Sequence, residues 1–166
     1  TLADGVNLLA SYSAGGNGDN AGSLDVGVQL TNIEGLTVGL AVGEDKSIKG
    51  AEVEYTTLYA TYALGSTTVG IQMNDSDDAT VGSDQEFTAA AISYAVSDDM
   101  TISYGMSEID YESTTLTDQD ASAISASYTM GSVGFVGTYN DIDNNAGATT
   151  SAASFSAYEV GLTFAF

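Results

Sequence analysis

The chain has no proline, cysteine, tryptophan or histidine, and its only cationic side chains are Lys46 and Lys49. Without histidine or cysteine, neither a Ser-His-Asp nor a Cys-His mechanism can be assembled from these residues. The absence of cysteine also excludes disulfides and thiolate zinc sites. Two cations are too few to grip a phosphate backbone, which argues against nucleic acid as a partner, and they form no basic patch for an anionic membrane surface. A Ser–Lys pair would have to use Lys46 or Lys49, both in a short acidic stretch that stabilises the charged amine. Carboxylate pairs are abundant and therefore unspecific, and tryptophan, the best sugar-stacking side chain, is missing. The chain is not expected to be an enzyme. No run of about 18 apolar residues occurs, so no transmembrane helix is expected.

What the chain does have is acid. It carries 23 Asp and Glu, for a net charge of −21 over 166 residues. A charge of this size often marks disorder, but 43% of the residues are hydrophobic and the acids are clustered, which favours a folded chain. The length suits one domain, a single β-barrel region over residues 1–166.

Hydrophobic residues alternate with a period of two, which puts successive side chains on opposite faces of a strand. The pattern predicts ten strands, over 5–13, 24–32, 36–43, 51–64, 67–74, 86–96, 100–108, 119–130, 133–140 and 153–166. Connections between them alternate strictly. Long ones cover 14–23, 44–50, 75–85, 109–118 and 141–152, and short ones fall at 32–35, 65–66, 97–99 and 131–132. Short turns at one end and long loops at the other are the mark of an up-and-down transmembrane barrel. The expected fold is therefore all-β, a transmembrane antiparallel up-and-down β-barrel.

In the last strand Tyr158, Val160, Leu162, Phe164 and Phe166 share one face, read as the membrane face and an insertion signal, while Glu159 falls on the other. Tyr62, Tyr94 and Tyr128 each precede by two residues the last apolar residue of a strand entering a short turn, as an aromatic girdle requires. The opposite faces are small and polar, which suits a wetted lumen better than the dry interior of a sandwich. Asp25, Gln29, Gln72, Ser103, Ser125 and Glu159 are the pore-lining candidates. Most acids are expected in or beside the long connections, with only Asp25 and Glu159 inside strands. Such a rim either keeps the loops hydrated or concentrates cations at a mouth. Divalent cations, calcium above all, could be held at the acidic loops; Asp141, Asp143 and Asn145 have the alternation of a calcium loop, but the glycine and the closing glutamate of an EF-hand are out of place. No other cofactor is expected.

The terminal strand, the turns in which Gly65-Ser66 and Gly131-Ser132 follow an aromatic strand end, and acidic segments such as Tyr139-Asn140-Asp141-Ile142-Asp143 resemble the carboxyl-terminal portion of a Gram-negative general porin of the alphaproteobacterial type. That resemblance implies a homotrimer of barrels with about 16 strands in the outer membrane, in contact with its lipid and lipopolysaccharide. It also implies passive diffusion of small hydrophilic solutes and ions. The chain departs from that family in having no arginine, so either the family's basic cluster lies outside the sequence or the pore favours cations; the acidic mouth sets the expectation of a cation preference. On this reading about six amino-terminal strands and the constriction loop lie outside the sequence. Two alternatives stand beside it. One is a closed ten-stranded outer-membrane barrel with a structural, adhesive or receptor role through its acidic loops. The other is a soluble acidic β-protein that binds calcium.

Overall fold

The computed structural model describes residues 4–15, 22–46, 52–80 and 82–164. Ten strands run through them: β1 (Val6–Ser13), β2 (Ser23–Ile33), β3 (Leu36–Asp45), β4 (Val53–Leu64), β5 (Thr67–Asp78), β6 (Gln85–Ser97), β7 (Met100–Tyr111), β8 (Gln119–Met130), β9 (Val133–Asp143) and β10 (Phe155–Phe164). They pair antiparallel in sequence order in one sheet, with β1 and β10 as its two edges among the described residues. Every strand expected from the alternation is present.

The cross-strand register joins the apolar residues into one continuous face. Leu40 lies between Val28 and Leu58, Ile71 between Ala60 and Ala90, and Tyr128 between Met100 and Phe135. Neither face is covered. Among the described residues the only buried hydrophobic side chain is Ala153, and it belongs to a loop. Leu64 is 67% exposed, Tyr158 82% and Val160 83%. At about 25 cal/mol per Å² of apolar surface, a sheet with so much exposed apolar area needs a second apolar phase to rest against. A soluble sandwich would supply that phase from its own second sheet, and no such layer exists among the described residues.

The short turns show why glycine stands in three of them. Gly35, Gly65 and Gly131 have φ of 75°, 58° and 62°, a region in which a side chain crowds the following carbonyl. Three of the four short turns are also tied to a neighbouring strand. The Gly35 carbonyl accepts from the Ala63 amide at 2.8 Å, Ser66 from Ala95 at 2.8 Å, and Asp99 from Thr129 at 2.9 Å.

One expectation fails at the opposite end. The strands run further into the long connections than the alternation predicts: β5 continues to Asp78, β7 to Tyr111 and β9 to Asp143. As a result Glu44, Asp45, Asp75, Asp77, Asp78, Asp110, Asp141 and Asp143 lie inside strands, as do Glu54, Glu86, Glu108 and Asp120 at the ends of expected strands, together with Asp25 and Glu159. Asp and Glu are poor strand formers in isolation, so the sequence pattern breaks off where they begin. The backbone ladder continues because the neighbouring strand supplies its hydrogen bonds whatever the side chain.

Candidate functional site

The polar face is built from alternate residues of the same strands. Asp25, Gln29, Gln72, Ser103, Ser125 and Glu159 all project from it, opposite Gly43, Gly39, Tyr59, one another (Ser103 and Ser125) and Thr138 respectively. Its hydrogen bonds run across strands. Ser11 Oγ donates to Asp25 Oδ2 at 2.6 Å, and the Ser103 and Ser125 hydroxyls meet at 2.7 Å. Asn7 Nδ2 donates to Gln29 Oε1 at 3.2 Å, and Gln29 Nε2 donates to the Tyr59 hydroxyl at 2.7 Å. Tyr59 was not among the residues singled out from sequence. Its role depends on Gly39 in the intervening strand, which leaves room for the ring, and a cross-strand register is not visible in a linear pattern.

The acids divide between the two faces in a way the loop assignment hides. Three cross-strand rows of carboxylates stand on the apolar side, above its hydrophobic part: Glu44, Glu54 and Asp77; Asp75, Glu86 and Asp110; and Glu108, Asp120 and Asp143. Like charges directly opposite one another are mutually destabilising in a sheet, so these rows need solvent or counter-ions. On the polar side stand Asp25, Asp45, Asp78 and Glu159. The expected funnel of acids at the mouth is therefore mostly a belt on the outer surface of the sheet. Lys46 joins that belt through an ion pair with Glu44 at 2.6 Å, and the same contact raises its pKa. Lys49 lies outside the described residues.

Asp141 and Asp143, expected in a loop with Asn145, instead occupy β9. Asp141 accepts a hydrogen bond from the Tyr139 hydroxyl at 3.3 Å, and the Asn145 amide is used by the Ala153 carbonyl at 2.9 Å. A different trio, Glu108, Asp110 and Asp118, brings carboxylate oxygens within 4.8 Å of one another. All three are exposed, and nothing beyond the carboxylates themselves marks a cation there.

Tyr62, Tyr94 and Tyr128 lie on the apolar face near the short turns, as expected. A second aromatic row was not anticipated. Tyr104, Ile124, Tyr139 and Tyr158 follow one another across β7 to β10, just below the carboxylate rows. The Tyr139 and Tyr158 rings approach to 4.9 Å with a 46° tilt. That row continues through Ile92 and Val69 to Tyr62, where it meets the short-turn tyrosines, and the apolar face as a whole ends in carboxylates at the long-loop end, the profile expected of a surface that crosses a bilayer. Of the terminal-strand residues, Tyr158, Val160, Leu162 and Phe164 share the apolar face, while Phe166 lies outside the described residues.

At the long-loop end, residues 112–118 and 144–154 dock on each other. The Thr117 amide donates to the Gly147 carbonyl at 3.1 Å, Asn144 Nδ2 to the Asp118 carbonyl at 3.1 Å, and the Ala146 amide to Gln119 Oε1 at 2.7 Å. Nearby, the Glu112 carboxyl is shifted to a higher pKa by a hydrogen bond to Asp84, then by the charges of Asp84 and Asp77. A carboxyl whose pKa rises on folding adds stability below its unfolded value of 4.5, and that stability is lost as pH climbs through the folded value. Glu112→Gln should therefore make the 112–118 loop more resistant to limited proteolysis at pH 7 than it is in the unmodified protein. Unchanged cleavage in the variant at neutral pH would show that the repulsion does not loosen it.

Comparison with known proteins agrees with this arrangement. A protein-family model for Gram-negative porins matches residues 3–117. No curated protein matches the chain. Among solved structures, a loop-deleted form of OmpT, an outer membrane protein of Vibrio cholerae, superposes with a TM-score of 0.72 at 20% identity, over 98% of this chain and 59% of that one. A mutant of the Rh. blastica porin gives 0.60 at 21% identity, over 87% of this chain and 46% of that one. The NanC porin gives 0.60 at 11% identity, over 97% of this chain and 93% of that one. The chain thus spans about half to three-fifths of the Vibrio and Rh. blastica proteins, and these likenesses establish the fold: an outer-membrane β-barrel sheet.

Proposed function

We infer, from the premise that the chain belongs to the Gram-negative porin family, that it forms wall of a water-filled channel for passive diffusion of small hydrophilic solutes and ions, with cations preferred. Its place is the outer membrane. The apolar face rests on lipid or on a neighbouring subunit, and the polar face lines the passage. The observation that carries the selectivity is on that polar face: Asp25, Asp45, Asp78 and Glu159 project from it and no cationic side chain does among the described residues. A wall with fixed charge of one sign concentrates counter-ions and lowers the local concentration of co-ions.

The carboxylate rows on the outer surface serve a different purpose in this reading. They face the headgroup level, where divalent cations such as calcium would neutralise them against the phosphates of lipopolysaccharide. Assembly as a homotrimer, completion of the barrel to about 16 strands by a preceding segment, and the absence of catalysis all follow the family. The near-complete mutual coverage with the NanC porin supports a second reading, a smaller barrel made from little more than this chain. A native polypeptide close to 16.9 kDa would favour that smaller barrel, and one nearly twice as long the larger.

Planar-bilayer recording across a potassium chloride gradient tests the proposal. The expected reversal potential has the sign set by potassium permeating faster than chloride. A reversal potential of opposite sign would remove the cation preference, and a protein that inserts without conducting would remove the channel.

A further inference from the structure

One cross-strand row on the polar face differs from the rest. From β1 to β5 it reads Asn7, Gln29, Gly39, Tyr59 and Gln72. Tyr59 does not stand away from its strand. The place that a Cβ would take on Gly39 is filled by the Tyr59 ring, with the phenolic oxygen 2.7 Å from it. The ring therefore lies down across β3, and its oxygen reaches β2 to accept the hydrogen bond from Gln29 Nε2 at 2.7 Å. A hydroxyl can accept and donate at once, so a Tyr59 hydroxyl that accepts from Gln29 keeps its own proton to donate. Gln29 is held in turn by Asn7 Nδ2 at 3.2 Å. On the other side Gln72 stands opposite Tyr59, with its Nε2 donating to Asn74 Oδ1 at 3.2 Å.

The neighbouring rows are small or hydroxylated. Gly27, Ala41 and Thr57 run on one side, and Thr37, Thr61 and Gly70 on the other. A flat aromatic ring is thus set into a shallow wall, flanked by three carboxamides and no formal charge. Carboxamides carry a donor pair and an acceptor side by side, which matches the alternating donors and acceptors of adjacent hydroxyls. An aromatic face offers dispersion contact to a saturated ring lying flat on it. A charged solute would find no counter-charge in this row.

We propose that the Tyr59 ring, laid over Gly39 between Gln29 and Gln72, is a wall subsite for an uncharged, hydroxylated ring solute of the sugar class. The inference rests on the reading that the polar face lines the channel. It gives the protein a contact that slows one class of neutral solute, independent of the charge that sorts ions.

The test uses the full-length protein in planar bilayers, with cellobiose as the probe. In the unmodified channel cellobiose interrupts the potassium chloride current in a saturable way. Tyr59→Ala should weaken that block tenfold or more, read as the blocking constant relative to each variant's own open-channel current. Gly39→Ala, which lifts the ring off the wall, should weaken it similarly, and Tyr59→Phe, which keeps the ring and loses the hydroxyl, should fall between. A block of equal affinity in Tyr59→Ala overturns the subsite, as does an equal block by polyethylene glycol of the same hydrodynamic size. Either result leaves the channel reading intact. If the protein does not conduct, the channel reading fails, and calorimetric titration of cellobiose into the detergent-solubilised protein decides the subsite alone. Binding heat in the unmodified protein that vanishes in Tyr59→Ala supports the assignment; no heat in either overturns it.

Discussion

Ile71→Arg should destabilise the protein in lipid by about 2–4 kcal/mol, a shift of roughly 30- to 1,000-fold in the folding equilibrium. Ile71 is in the middle of the hydrophobic stretch of β5, half exposed, with only Ala60 and Ala90 beside it. An arginine there has no acid opposite it on either adjacent strand, and the nearest carboxylate on that face of β5 is Asp75. It must either carry its charge into hydrocarbon or bend to an interface. The adjacent substitution Gln72→Arg places the same charge on the polar face and should change stability by less than about 0.5 kcal/mol. Denaturant titration of both variants during refolding into lipid vesicles makes the comparison. Equal costs at the two positions would contradict the assignment of the faces.

Gly35→Val should cost about 3 kcal/mol, whereas Gly65→Val should cost only about 1–2 kcal/mol. Both glycines occupy short turns at positive φ, 75° and 58°, so both variants meet the same backbone strain. Their surroundings differ. A Cβ on Gly35 would run into the Ala63 carbonyl, the same backbone segment whose amide is held by Gly35 at 2.8 Å. A Cβ on Gly65 meets nothing within 4 Å. The valine at 35 must therefore push β4 away or break that tie, and the valine at 65 need only tolerate its own dihedral angles. Thermal unfolding of the two variants in the same detergent gives the difference directly. If Gly65→Val proves as costly as Gly35→Val, strain alone governs these turns and the close approach carries no weight.

These two contrasts mark where sequence reasoning works here and where it stops. Alternation is a local property, so Val69, Ile71 and Met73 could be placed on one face without any structure. The short turns were legible for the same reason, since a glycine between two alternating runs signals positive φ. Strand ends were not legible. Asp75 to Asp78 and Ile109 to Asp110 look like loop by propensity, yet the partner strands extend past them and impose the ladder. That misreading carried the acids to a mouth, when their register sets many of them on the outer surface instead. Register is a relation between strands, and no single segment contains it. For the same reason the row formed by Tyr104, Tyr139 and Tyr158 could not be read in advance, nor could the reach of Tyr59 across Gly39 to Gln29.

The absence of native cysteine makes the central claim, that one face meets lipid and the other water, open to a direct measurement. Single cysteines placed in turn at positions 69, 70, 71, 72 and 73 of β5 report which side each position faces in vesicle-embedded protein. With a membrane-impermeant maleimide, labelling should be fast at 70 and 72 and slow at 69, 71 and 73. Uniform labelling along the strand, or labelling with the opposite alternation, would contradict the account.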